Sequence, residues 1–87
     1  MTTVVNCKRS PFDVFIGRPS KWGNPFRIGK DGTREEVIEK FRKYFFSRPE
    51  LMEAARRELK GKVLGCFYFP LGCHGDILAS FVNKEAF

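Results

Sequence analysis

No stretch of this chain is apolar for long enough to cross a bilayer; the longest mostly apolar run, VLGCFYFPLGC, is short and contains a proline. The beginning, MTTVVNCKRS, holds no apolar core ahead of a cleavage site, so a soluble, unexported, cytoplasmic protein is expected. Cysteine is scarce and odd in number: three thiols without the regular spacing of a disulfide framework fit a reducing compartment. The phosphate fingerprints G-x-G-x-x-G and G-x-x-x-x-G-K-[ST] are both missing, which excludes a dinucleotide or Walker-type site read from motif. No serine sits in a nucleophile elbow, and the carboxylates fall mostly on expected helix surfaces, so serine hydrolase and glycosidase chemistry find no support. There is neither an internal repeat nor a low-complexity linker.

What is present is enough for one small core. Eighty-seven residues make a single domain, residues 1–87, with little buried area to spare. Sixteen Lys and Arg against ten Asp and Glu give a formal net charge of +6, which suits anionic partners such as phosphates, nucleotides or nucleic acid. The cations are spread along the chain rather than gathered in one run, so charge alone serves solubility equally well.

TVVNCKR, residues 3–9, opens on a β-branched pair and reads as a strand that Pro11 should stop. FDVFIG, residues 12–17, alternates well enough for a second short strand. Thr33 opens a helix through a capping box with Glu36, and Val37, Ile38, Phe41, Tyr44 and Phe45 recur at helical spacing. SRPE, residues 47–50, suggests a second helix with Ser47 as cap, running to about Leu59 and ending at Gly61. KVLGCFYF, residues 62–69, is apolar on both alternating faces, as a strand covered on both sides of a parallel sheet requires. A last amphipathic helix runs through Ile77, Leu78, Phe81 and Val82 to about Lys84. The order β, β, loop, α, α, β, α predicts a small α/β domain with a short, mostly parallel sheet and three helices packed on it.

Two segments could carry chemistry. FPLGCHGD lies between the carboxyl end of the best strand and a helix start, where α/β sheets gather ligands and helix N–H groups attract anions. Gly72 and Gly75 would let backbone approach a ligand with Cys73 between them, and Asp76 could cap the helix or orient a catalytic group. His74, the only histidine, has an ordinary pKa suited to proton transfer, lowered if the helix N-terminus acts on it. Taken singly, Asp76 reads as a cap and His74 as a surface or core residue. The second segment is GRPSKWGNPFRIG, residues 17–29, too rich in Gly and Pro for a regular element and too loaded for a passive connector. Trp22 offers a flat face to a base or sugar, Arg18, Lys21 and Arg27 offer charge to phosphate, Ser20 a hydroxyl, and Asn24 a donor and acceptor edge. Trp22 and Phe26 can equally fold inward as a lid on the core. A phosphate-bearing ligand held between loop and turn, with hydrolase or transferase chemistry on His74 and Asp76, is one reading. A non-enzymatic module gripping nucleic acid or a host protein is the other.

Cys7, Cys66, Cys73 and His74 sum to a legitimate zinc set, yet no pair has C-x-x-C spacing, Cys73 and His74 are adjacent, and Cys7 and Cys66 fall mid-strand. No metal and no cofactor are therefore expected, with structural zinc kept as a further alternative.

VVNCKR, IGRPSKWGNPF, GKDGTREEVIEKFRKYF and LGCFYFPLGCHGDIL together resemble the bacterial and phage family known as domain of unknown function 4326, over nearly the whole chain. The resemblance implies a compact α/β fold and a bacterial or phage setting, with the host cytoplasm as location if the chain is phage-encoded, and it brings no activity with it. Similar members tend to have Cys-Trp-Cys where this chain has Cys66-Phe67-Tyr68. A thiol is thus missing at Tyr68, which weakens a metal or redox reading.

Overall fold

A computed structural model describes residues 1–84 and shows the expected order of elements. These are β1 (Thr3–Asn6), β2 (Val14–Phe15), α1 (Arg34–Phe46), α2 (Pro49–Glu58), β3 (Val63–Cys66) and α3 (Gly75–Lys84). The sheet is parallel throughout, in the order β1-β3-β2, with Thr3 opposite Val63 and Val14 opposite Leu64. β3 is central, and its Leu64 and Cys66 point into a core closed by Ile16, Phe41, Phe45, Leu59, Leu78 and Val82.

The second side of β3 is covered by chain rather than by a helix. A Cβ at Gly65 would stand 2.7 Å from the Phe12 ring, so glycine is what lets the β1–β2 connection lie flat across the central strand. The strands are shorter than their apolar runs because Asn6 ends two of them at once. Its Oδ1 accepts from Lys8 N at 2.9 Å, while the N–H groups of Arg9 and Ser10 donate to the Asn6 carbonyl and turn the chain before Pro11 is reached. Its Nδ2 donates to the carbonyls of Phe67 and Phe69, at 3.3 and 2.9 Å, and pulls the segment after Cys66 out of the ladder.

Thr33 caps α1 through the full capping box, its hydroxyl accepting from Glu36 N and Glu36 Oε1 accepting from Thr33 N. The expected cap of α2 is a correction. Ser47 closes α1 instead, donating its N–H to Lys43 O and its hydroxyl to Tyr44 O. The N-cap of α2 is Arg48, whose side chain makes no capping bond; Pro49 keeps the residue before it extended, at φ −122° and ψ 92°. α2 ends at Glu58 with Leu59 as its C-cap, and the chain turns at Gly61 with φ +76°. α1 packs on α2, and α3 on β1, β3 and α2. Thr2 ties these layers together: its hydroxyl donates to Leu59 O, and its backbone exchanges two bonds of 2.9 Å with the Asn83 amide. No helix among the described residues is long and apolar enough to cross a membrane.

Candidate functional site

Residues 17–32 lack strand or helix, yet their own polar side chains hold them in place. Ser20 N donates to Gly17 O, Gly23 N to Ser20 O, and the Ser20 hydroxyl accepts from Trp22 N. The buried Asn24 amide donates to Val37 O of α1 at 3.1 Å and its Oδ1 accepts from Phe26 N at 2.9 Å, which docks the loop on the first helix. Further on, Asp31 exchanges two 2.8 Å bonds with the Arg27 backbone, one through its carboxylate and one through its N–H. A loop built this way presents its neighbours at fixed positions.

Between this loop, the start of α1 and the segment after β3 lies a pocket of about 190 Å³ at the carboxyl edge of the sheet. Gly17, Arg18, Asn24 and Phe26 contribute from the loop, Arg34 and Val37 from α1, and Cys66, Tyr68, Gly72, Cys73 and His74 from the far wall. Among the described residues no carboxylate lines it, and two guanidinium groups do. Arg18 Nη1 donates to Asn24 O at 2.8 Å. Arg34 lies 4.9 Å over the Tyr68 ring and reaches Gly72 O at 3.4 Å. Each cation is braced by protein while keeping further N–H groups to donate. The rim residues Ile28, Tyr68 and Gly72 are exposed, so the pocket opens to solvent between them.

The residues singled out in the sequence divide accordingly. Arg18, Asn24, Gly72, Cys73 and His74 share the pocket wall; Ser20, Lys21, Trp22, Arg27, Gly75 and Asp76 lie outside it. Trp22 is 3% exposed, with its ring in the core and no face for a base, which is the inward-folded alternative. Lys21 pairs with Glu58 at 2.8 Å and lies over the Trp22 ring. Gly75 serves packing, since a Cβ there would stand 2.6 Å from Ile16 Cδ1. Asp76, in the first turn of α3, accepts from Cys73 N at 3.3 Å through Oδ2, reaching back to the backbone ahead of the helix as the acidic member of a capping box does.

His74 is 7% exposed; its Nε2 is 2.8 Å from Ile16 O and its ring meets Phe41 edge-on at 5.0 Å. Burial pushes its pKa below the ordinary value, and the Arg18 charge adds to this, against the carbonyls of Ile16 and Trp22, which favour the charged ring. The direction is the one expected from the helix N-terminus, but its first cause is burial. The neutral ring therefore donates Nε2–H to Ile16, a bond that orients it and ties strand β2 to the start of α3.

Arg34, Tyr68 and Cys66 were not anticipated as parts of one site. Arg34 was legible only as the residue after a helix cap. Cys66 and Cys73, seven positions apart, meet at an Sγ–Sγ distance of 2.9 Å, and both are free. The Cys73 thiol and the backbone N–H groups of Tyr68 and Phe69 together hold Cys66 well below the usual thiol range, against its burial. Cys73 is pushed up, first by its bond to Cys66 and then by burial. The interaction within the pair thus favours ionisation of Cys66 over that of Cys73. Among the described residues no three His, Cys, Asp or Glu side chains converge as a metal site would require.

The chain is 47% identical over 85 residues to an uncharacterized 12.4 kDa protein in the nrdA-td intergenic region of Enterobacteria phage T4, covering 93% of this chain and 77% of that protein. It is 38% identical over 93 residues to an uncharacterized protein of Acanthamoeba polyphaga mimivirus, covering 86% of this chain and 66% of the viral one. No solved structure matches. Residues 4–84, from the first strand to the last residue of α3, match the family described as Domain of unknown function (DUF4326), and the chain belongs to that family.

Proposed function

We propose that the pocket binds a small phosphate-bearing ligand, of the size of a ribose phosphate or a single nucleoside phosphate. The observation that carries this reading is the pair of guanidinium groups, Arg18 and Arg34, in the walls of one pocket whose remaining lining is largely uncharged. Guanidinium forks match phosphate oxygens, and the place at the carboxyl edge of a parallel sheet suits such a ligand. Even with Cys66 ionised, one negative charge faces two cations, so the local balance stays positive. About 190 Å³ lies below the usual range of roughly 300–1,000 Å³ for ligand pockets, so part of a nucleoside would rest outside against Tyr68. His74 and Asp76 are both engaged with backbone, which favours binding over proton transfer.

The test is isothermal titration with ribose 5-phosphate, adenosine monophosphate and adenosine. The phosphorylated ligands should bind and adenosine should not. Arg18→Ala and Arg34→Ala should each weaken binding by roughly tenfold, about 1.4 kcal/mol, while Lys21→Ala leaves it unchanged. Absence of heat with both phosphates sinks the proposal. A second reading is favoured by the exposed rings of Phe67, Tyr68 and Phe69, with Lys8 Nζ 5.7 Å over Phe67. These would stack the bases of a nucleic-acid end whose phosphate enters the pocket. Affinity for a short oligonucleotide would then fall steeply with salt, whereas a pocketed mononucleotide loses much less.

A further inference from the structure

We propose that Cys66 and Cys73 form a redox-active dithiol in the pocket wall, in which a hydroperoxide oxidises Cys66 and Cys73 resolves the product to a disulfide. The proposal stands apart from the phosphate reading, since it concerns the sulfurs alone. Three observations carry it. The sulfurs are 2.9 Å apart, so closing to the roughly 2.05 Å of a disulfide needs a shift of less than about 1 Å, within reach of side-chain rotation. Both cysteines line the pocket, which opens to solvent past Tyr68 and Gly72. Cys66 also lies where the backbone N–H groups of Tyr68 and Phe69 act on its sulfur, a setting built for a thiolate.

Size selects the oxidant. The two cysteines are 1% and 3% exposed, and the space before them is about 190 Å³, so a bulky disulfide is excluded while a peroxide enters. The Cys66 thiolate attacks one oxygen of hydrogen peroxide. The S–O bond forms, the O–O bond breaks, and the leaving hydroxide takes a proton from solvent to become water. Cys73 Sγ then attacks the Cys66 sulfur; the S–S bond forms, the S–O bond breaks, and the departing hydroxide takes the Cys73 proton as a second water. Two thiols lose two electrons and one peroxide gains them. The adjacent Cys73 captures the sulfenic acid before it reaches sulfinic acid, which is the use of a resolving thiol at this distance. Cys7, whose backbone N–H donates to Cys66 O, does not line the pocket and takes no part.

The test starts from the fully reduced protein, which has three free thiols, and adds one equivalent of hydrogen peroxide. One titratable thiol should remain, the intact mass should fall by two hydrogens, and peptide mapping should join Cys66 to Cys73. Cys7→Ser should behave alike and end with no thiol. Cys73→Ser should leave a sulfenic acid on Cys66 that dimedone captures. At neutral pH the folded protein should react roughly tenfold faster than the same protein in urea, because only the fold lowers the Cys66 pKa. Three thiols surviving excess peroxide, oxidation falling on Cys7, or a folded protein no faster than the unfolded one would each overturn the proposal. The map on the unsubstituted protein decides which thiols react even if Cys73→Ser does not fold.

Discussion

His74 shows what burial does to a residue that the sequence offers as a catalyst. Its ring fills core space against Phe41 and bonds Ile16 O, so His74→Ala leaves a cavity and an unpaired carbonyl. The expected loss is about 2–4 kcal/mol, read as the free energy of unfolding by urea titration. The pH dependence follows from the sign of the shift. A pKa below the ordinary value of about 6.5 means the unfolded chain binds the proton more readily, so the stability His74 contributes is complete above pH 6.5 and is lost as pH falls below it. Thermal melts should therefore drop on acidification below about pH 6.5, and His74→Gln should flatten that part of the profile. The CHGD turn was legible as a loop at the carboxyl edge of the sheet, where Cys73 and His74 do line the pocket, yet the partners of each side chain were not. Trp22, Asn24 and Lys21 each carry two uses in their chemistry, and only the partners brought near by the fold, the core, Val37 O and Glu58, select one.

At the scale of elements, capping and periodicity were readable because they are local. Thr33 and Glu36 lie three positions apart, and nothing distant competes for their groups. Ser47 presents the same pattern but sits where one helix must end before another begins, and Pro49 forces the residue next to it to be extended. Thr33→Ala should cost about 1 kcal/mol in a denaturant titration and Ser47→Ala less than about 0.5, a contrast that tests which of the two caps a helix. The strands are shorter than their sequence pattern suggests because an apolar run records burial, while the ladder's length is decided by Asn6, whose amide reaches Phe67 and Phe69 some sixty residues away. The Cys66–Cys73 pair escaped the spacing test for the same reason. Motif spacing looks for knuckles within one turn, and here a strand end and the connection just ahead of α3 supply one sulfur each.

For the molecule as a whole, Gly65 decides whether the sheet is covered on both sides. Gly65→Ala would press a methyl group into the Phe12 ring, at 2.7 Å, and should cost about 1–3 kcal/mol in thermal or urea unfolding, with Phe12→Ala in the same chain recovering part of it. The strand order has a consequence for how the chain comes into being. β1 and β2 do not pair with each other; both wait for β3, and Thr3 meets Val63 sixty positions later. A chain emerging from a ribosome thus carries two unpaired strand segments, with Phe12 in the connection between them and Phe15 in the second, until three quarters of it has been made. The helices can form as they appear, whereas the sheet can only assemble at the end, all three strands together. Arrested chains ending before residue 63 should be degraded by protease, and those extended through α3, with room to clear the tunnel, should resist it.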